Sequence, residues 1–230
     1  MDKKKQMAFN LNNFLLAISI ALDFRQKDKN NTSLNHYKRV AFIVLKLALK
    51  FNFDQKQMSD LCSLSLVYDL TKDEKEKIPF LNGLETINNK LFNEIILFAS
   101  NLDKDFSLGI DDIDKRLSAI EFVKNEKNFS KEIIENFLTI SLPVSFWLDL
   151  QNENDILMFI YSSLDDFTII IDFEEILKIT NIFHNIVSPD STFIKMCEIM
   201  ADEYAFDHKD KQTFLIAASL ANIGKLAIPS

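Results

Sequence analysis

The stretch LNHYKRVAFIVLKL, residues 34–47, decides the fold class because its apolar residues recur with the period of an α-helix. Four of them stand at positions i, i+3, i+4 and i+7, which share one helical face: Val40, Ile43, Val44 and Leu47. The pattern therefore predicts a helix from His36 to about Asn52 that buries this face.

Similar stripes recur along the chain, around Ile18, Leu91 and Ile133 and again after a capping-box pattern that begins at Asp172. Residues 167–171, FTIII, are the one strand-like segment, and they fit either a short strand or an extended connector. A turn-dense β-sandwich is disfavoured because the chain has only 3 Gly and 4 Pro. We therefore predict an all-α array of about ten helices.

The composition excludes several classes of function. The three glycines are far apart, so no Gly-rich loop can hold a nucleotide phosphate. A net charge of −8 disfavours nucleic-acid binding, and no apolar run is long enough to span a membrane. Cys62 and Cys197 both lie in apolar helical patterns, which predicts reduced core thiols. These features favour a cytoplasmic protein.

The chain is weakly similar to itself at an offset of 153 residues. This shift places Phe53-Asp54-Gln55-Lys56 on Phe206-Asp207-His208-Lys209, and it keeps the apolar positions of the preceding helices in phase. This match has two interpretations: a duplicated helical unit, or a coincidence between two amphipathic helix pairs. The first reading divides the chain into residues 10–127 and residues 128–230, the second unit being incomplete.

Two polar residues stand at the edges of apolar stripes, His36 and Asp69. The spacing of 33 positions holds one helix, a turn and a second helix, an arrangement that can bring both side chains to one end of a helix pair. Each also has a structural reading: His36 begins a helix, and Asp69 forms hydrogen bonds at a helix end. His184 and His208 are predicted to face solvent.

The sequence resembles the HD superfamily of metal-dependent phosphohydrolases, and within it the tandem HD-GYP type. His36, Arg39 and Val40 match His-x-x-Arg-Val, and Tyr68-Asp69 stands where the family has its His-Asp doublet. Residues 217–229, AASLANIGKLAIP, are similar to the family's Ala-Ala-x-Leu-His-Asp-Ile-Gly-Lys-Leu-Ala-Ile-Pro.

The resemblance implies an HD-like helical array whose metal ligands are largely lost. The first vestigial site would comprise His36, Arg39, Tyr68 and Asp69. The second would comprise Ala221, Asn222 and Lys225, with Ala221-Asn222 replacing the His-Asp doublet. Among all of these only His36 and Asp69 are candidate metal ligands, and no residue is a candidate for catalysis.

The leading functional hypothesis is therefore a catalytically inactive HD-GYP-like regulatory or protein-interaction module in bacterial signalling, with no cofactor. One alternative is a residual phosphohydrolase, such as a cyclic di-GMP phosphodiesterase, in which His36 and Asp69 help to hold Mn²⁺ or Fe²⁺. Another is a receptor that binds a nucleotide without hydrolysing it.

The sequence also predicts association. The resembled family has further helices after the segment that ends this chain, so we expect an incompletely covered apolar patch on the second unit. Its members would be Phe193, Met196, Met200, Phe214 and Ala218. Such patches mark interfaces, and a symmetric homodimer would hide the same patch on both copies. The alternatives are that the chain's own tail covers the patch, or that the remainder of a longer protein does.

Overall fold

The computed structural model describes residues 7–30, 34–78, 81, 89–163, 168–188 and 192–227. Within this part of the chain, 77% of the residues are helical, in twelve α-helices and short 3-10 segments, and the only sheet is a two-stranded ribbon. The prediction of an all-α array is confirmed.

The helices follow one another along the chain, as the recurring stripes predict. Their bounds are α1 Leu11–Asn30, α2 His36–Lys50, α3 Gln55–Leu66, α4 Lys72–Glu76, α5 Lys90–Phe106, α6 Ile113–Asn125, α7 Lys131–Ile140, α8 Val144–Asp149, α9 Glu153–Ser163, α10 Phe173–Val187, α11 Thr192–Glu203 and α12 His208–Leu220. The capping box predicted at the start of α10 is present: the Asp172 side chain accepts the Glu175 N–H, and the Glu175 side chain accepts the Asp172 N–H. A short 3-10 helix, Ile223–Ala227, follows α12.

The ribbon pairs β1, Met7–Asn10, with β2, Thr168–Ile171, in antiparallel register. Met7 lies opposite Ile171, and Asn10 lies opposite Thr168. The strand-like segment predicted at residues 167–171 is therefore a strand from residue 168, and Phe167 lies outside the described residues.

The chain forms two compact units. The larger unit comprises residues 15–69 and 84–166, and the smaller comprises residues 1–14, 70–83 and 167–230. This division by packing does not coincide with the division of the sequence at residues 127 and 128, which stays a prediction about duplication.

Helix α2 is the centre of the larger unit. Twelve of its fifteen residues are buried, and it packs against α3, α5, α7 and α9. Phe42 on α2 makes ring contacts with Phe146 and Phe159, with centroids 5.9 and 5.1 Å apart. Cys62 on α3 is a buried free thiol, as predicted.

The smaller unit is built on α12, which packs against α10 and α11. Its small core contains Cys197, Leu215 and Ala218, against which Phe214 packs from the edge. Cys197 is a buried free thiol, as predicted. Ala218 and Phe214 are thus part of this core, which corrects their expected place in an exposed patch.

The helix pair α2–α3 and the helix pair α11–α12 share one turn geometry at the offset of 153 residues. Asn52 and its equivalent Ala205 both have left-handed backbone, with φ of 53° and 52°. The next residue in each turn donates its N–H to the equivalent carbonyl, Phe53 to Ala48 at 3.1 Å and Phe206 to Ala201 at 3.0 Å. The second helix of each pair then begins after an Asp N-cap. The weak sequence match therefore corresponds to a repeated local structure.

Candidate functional site

The first turn of α2 carries four consecutive buried polar residues, His36, Tyr37, Lys38 and Arg39. The helix begins after Asn35, whose φ of 65° places its backbone in the left-handed region. Because buried polar groups must be hydrogen-bonded, the partners of these four side chains define the candidate site.

Asp103 on α5 is the hub of the network. It is almost completely buried, and its Oδ2 accepts a hydrogen bond from His36 Nδ1 at 2.6 Å. Arg39 binds the same carboxylate through two nitrogens, Nε to Oδ1 at 2.7 Å and Nη2 to Oδ2 at 2.9 Å. Such a two-point pair is strong and fixes the orientation of both side chains. It therefore fixes α2 against α5.

The charge state of Asp103 follows from these contacts. Burial by itself raises the pKa of this carboxyl, but the Arg39 charge and the His36 hydrogen bond together lower it below its usual value. Asp103 is therefore ionised and accepts hydrogen bonds only, so the Nδ1 of His36 carries the proton that it shares with Asp103. The other ring nitrogen, Nε2, lies 3.4 Å from Ser100 Oγ.

The guanidinium of Arg39 fits against Gly109, in the turn after α5. A Cβ at this glycine would lie 2.6 Å from Arg39 Nη1, a distance that real Cβ atoms do not reach. Nη1 also donates to the Leu34 carbonyl at 2.7 Å. The absence of a side chain at residue 109 thus makes room for the buried arginine.

A second group of contacts surrounds Asp69. Its Oδ2 accepts a hydrogen bond from the Tyr37 hydroxyl at 2.6 Å and lies 3.5 Å from Lys104 Nζ. Its main-chain carbonyl accepts from Arg25 Nη2 at 2.9 Å. The neighbouring Tyr68 is half-buried, and burial, with the Asp69 charge as a smaller cause, raises the pKa of its phenol.

Asp23 and Glu153 complete the surroundings of the first turn. Asp23 on α1 accepts the Tyr37 N–H at 3.4 Å, and burial raises the pKa of its carboxyl to about 7, against the opposing effect of its hydrogen bonds and of Arg39 and Lys38. Glu153 on α9 accepts from Lys38 Nζ at 2.5 Å, and this hydrogen bond lowers its pKa. The site therefore joins α1, α2, α5 and α9.

The two candidate metal ligands predicted from the sequence, His36 and Asp69, have different hydrogen-bond partners. His36 contacts Asp103, Ser100 and the Tyr37 ring, whereas Asp69 binds Tyr37 and Lys104. Asp69 forms hydrogen bonds after the end of α3, as its structural reading predicts.

The second predicted site does not form a cluster. Ala221 and Lys225 are exposed and Asn222 is half-buried, in the turn and 3-10 helix that follow α12. The Lys225 N–H donates to the Asn222 carbonyl at 3.0 Å, which is an ordinary turn contact. Residues 228–230, which include the end of the family-like segment, lie outside the described residues.

These residues do not fit a divalent metal. A protein metal site requires several converging N or O ligands. Here the Nδ1 of His36 is bonded to Asp103, and Asp69 faces a hydroxyl and an ammonium group. Across the described ranges, no group of three or more His, Cys, Asp or Glu side chains is arranged to hold a metal ion.

Sequence reasoning missed Asp103 and Gly109. Asp103 lies four residues after Ala99 and seven after Ile96, on the buried face of α5, so an acid in that stripe was the available signal. The prediction for His184 was wrong: it is buried on α10, and its ring stacks on Phe193 with centroids 6.4 Å apart. His208 is exposed, as predicted.

Comparisons with known proteins found no relative: no family model matches the chain, and neither the curated proteins nor the solved structures contain a match. No helix in the described part of the chain combines the length and the hydropathy needed to cross a membrane.

Proposed function

We propose that this chain is a non-enzymatic interaction module, an inactive HD-GYP-like regulatory protein of bacterial signalling that works by pairing with a second copy of itself. Two features support the proposal. His36, Arg39 and Asp103 in the larger unit are buried and bound to one another, and the smaller unit has an exposed apolar surface.

The polar residues support the absence of catalysis. A catalytic acid, base or metal ligand must be able to reach a substrate or a water molecule. His36, Arg39 and Asp103 are instead buried and bound to one another, and they join two core helices. Their geometry matches a structural role.

The exposed surface of α11 carries the proposal of self-association. We define the α11 face as Phe193, Met196, Ile199 and Met200 on α11 together with Tyr204 just after its end, all exposed. At the offset of 153 residues, Met196 corresponds to Ile43 on α2. Met196 is 59% exposed, whereas Ile43 is 0% exposed because other helices cover that face of α2.

A second copy of α11 is a suitable cover because the face is self-complementary. Its residues follow a stripe with helical spacing, so two antiparallel copies can bury the same side chains around a two-fold axis. In this arrangement Lys195, near the beginning of one helix, lies opposite Glu203, near the end of the other. Both residues are exposed, and neither has an ion pair within the described residues.

Light scattering of the full chain at high micromolar concentration tests the association. We expect a dimer of twice 26.6 kDa for the natural sequence and a monomer for Met196→Asp. Met158→Asp is the matched control, because Met158 on α9 is 66% exposed and lies in the other unit, so this variant should remain dimeric. A monomeric natural protein, or a dimer that Met196→Asp leaves intact, would overturn this part of the proposal.

A charge exchange tests the antiparallel arrangement. Lys195→Glu alone should weaken the dimer, because it places two acids opposite each other, and the double variant Lys195→Glu/Glu203→Lys should restore it. If the double variant is as weak as the single variant, the proposed register is wrong.

The enzymatic alternatives are tested separately. The protein is expressed with Mn²⁺ or Fe²⁺ supplied, its metal content is measured, and it is incubated with cyclic di-GMP. We expect neither stoichiometric metal nor hydrolysis. Turnover that Asp69→Ala abolishes would establish a residual phosphohydrolase, and saturable binding of cyclic di-GMP without hydrolysis would establish a nucleotide receptor. Either result would overturn the proposal.

A further inference from the structure

A cleft on the larger unit lies between the loop after α5, the first turns of α6, and α8. Its volume is about 110 Å³. Trp147 on α8 lies in its wall, 4% exposed, and four large apolar side chains that line the cleft are exposed: Ile110, Ile113, Val144 and Leu148. None of the residues of the buried polar network lines it.

Arg116 on α6 is the unusual group in this cleft. The centre of its guanidinium lies 5.3 Å from the Trp147 ring centroid, a cation–π distance that orients the planar group. Its Nε–H is buried and has no hydrogen-bond acceptor. Arg116 also has no carboxylate partner within the described residues. A buried guanidinium N–H without an acceptor is costly, so this site is incomplete as it stands.

The carboxylates that line the cleft already have donors of their own. Asp112 is the N-cap of α6 and accepts the N–H groups of Asp114 and Lys115 at 3.0 and 3.2 Å. Asp111 accepts from Gln151 Nε2 at 3.5 Å. Arg116 therefore remains available for a carboxylate from outside the chain. Lys115, the other cation of the lining, offsets part of the negative charge of Asp111 and Asp112.

We propose that this cleft binds a small aliphatic carboxylate, with the carboxylate on Arg116 and the apolar chain against Trp147. Carboxylate is the chemistry that a guanidinium edge recognises best, through paired hydrogen bonds. The volume limits the apolar part, because an apolar cavity of about 150 Å³ holds a benzene molecule. A branched chain of about four or five carbons fits this smaller space.

Trp147 makes the test direct because it is the only tryptophan in the chain. The probe is isocaproate, added to the full-length protein at constant ionic strength with selective excitation of tryptophan. Isocaproamide is the matched ligand, of the same shape without the charge. We expect isocaproate to change the fluorescence saturably and isocaproamide to bind at least about tenfold more weakly.

Two variants locate the site. Arg116→Gln should weaken isocaproate binding at least about tenfold, because it removes the charged donor. Lys131→Gln is the matched control: it removes one positive charge from an exposed position outside the cleft, so affinity should be unchanged. Circular dichroism checks that each variant is folded.

Three outcomes would overturn the proposal: no saturable change with isocaproate, equal binding of acid and amide, or unchanged affinity in a folded Arg116→Gln variant. If Arg116→Gln does not fold, Arg116→Lys replaces it. Lysine keeps the charge but loses the planar fork, so binding should be weakened while the preference for acid over amide is retained. Loss of that preference in Arg116→Lys would also overturn the proposal.

Discussion

The helix pairs α2–α3 and α11–α12 have the same turn, the same left-handed residue and the same Asp N-cap, yet their first helices differ in surroundings. Helix α2 packs against four other helices, whereas α11 packs mainly against α12. Local sequence therefore determines the pair and its turn, and more distant parts of the chain determine whether the outer face of the pair is covered.

The polar residues of the two pairs differ in the same way. The first turn of α2 is held by one buried charge on α5, Asp103, which lies 64 residues after Arg39 and 67 after His36. Around α11 the ion pairs are exposed and local, such as Lys211 Nζ with Asp202 Oδ1 at 2.7 Å. A buried polar network thus belongs to the covered pair, and the uncovered pair presents apolar side chains.

The largest expected effect is at Asp103. Replacing Asp103 by Ala should lower the free energy of unfolding by about 3–5 kcal/mol, because Arg39 would remain buried without its counter-charge. Urea unfolding followed by circular dichroism measures this loss. Asp202→Ala, which breaks an exposed pair, is the control and should change stability little. Equal effects of the two substitutions would show that the buried network does not hold α2.

The next largest effect is a difference in stability loss between Ile43 and Met196, which are equivalent positions of the two helix pairs. Ile43→Ala should destabilise the larger unit by about 2–5 kcal/mol, because it leaves a cavity in a covered core. Met196→Ala should change the stability of the monomer by no more than about 0.5 kcal/mol, because its side chain is exposed. Unfolding is measured at a concentration low enough to dissociate the proposed dimer. Similar losses of stability at both positions would contradict our inference that other helices cover Ile43 but not Met196.

We expect the stability of the two units to depend differently on pH, because Asp23 belongs to the larger unit. The pKa of Asp23 is raised to about 7 from 3.8, so the stability that it contributes is fully present below pH 3.8 and is lost as the pH rises through 7. Stability should therefore fall by about 2 kcal/mol from about pH 5 to about pH 7. Urea unfolding at the two pH values measures this decrease.

The control for this decrease is Asp23→Asn, which keeps an acceptor for the Tyr37 N–H and cannot ionise, so most of the fall should disappear. Among the described residues of the smaller unit no Asp is buried, and the effect should be confined to the transition of the larger unit. An unchanged pH dependence in the variant would show that Asp23 is not its cause.

The smallest effect distinguishes the two N-caps. Asp54 is part of a complete capping box with Gln57, whereas Asp207 accepts the Asp210 N–H without the reciprocal bond. Asp54→Ala should lower the free energy of unfolding by about 1 kcal/mol, and Asp207→Ala should lower it by less. Chemical denaturation of both variants checks the order. A larger loss at Asp207 would reverse our assignment of the stronger cap.

The parts of the fold that depend on local sequence could be predicted. The stripe from Val40 to Leu47, the capping box at Asp172 and the two core cysteines needed only helical periodicity and short spacings. The stripe on α11 has the same periodicity, but periodicity cannot tell whether a partner helix exists to cover it. That information lies in the arrangement of distant elements.

The candidate site was predicted only in part for the same reason. His36 and Arg39 were identified, but their common partner Asp103 is more than sixty residues away and no short motif connects them. His184 lies near the edge of an apolar stripe on α10. Its polarity predicted an exposed side chain, but the packing of the helices buries it. The sequence therefore identifies His36 and Arg39 as polar residues of interest, but it does not show which side chain binds them.

The ribbon of β1 and β2 has a consequence for the order in which the chain folds. Its strands are separated by residues 11–167, so a ribosome must make more than two-thirds of the protein before Met7 can pair with Ile171. The larger unit, whose residues all lie between the two strands in the sequence, emerges first and can form its own core. We therefore expect refolding in two kinetic phases: the faster forms the helices around α2, and the slower closes the ribbon, because long-range pairing carries the greater loop entropy.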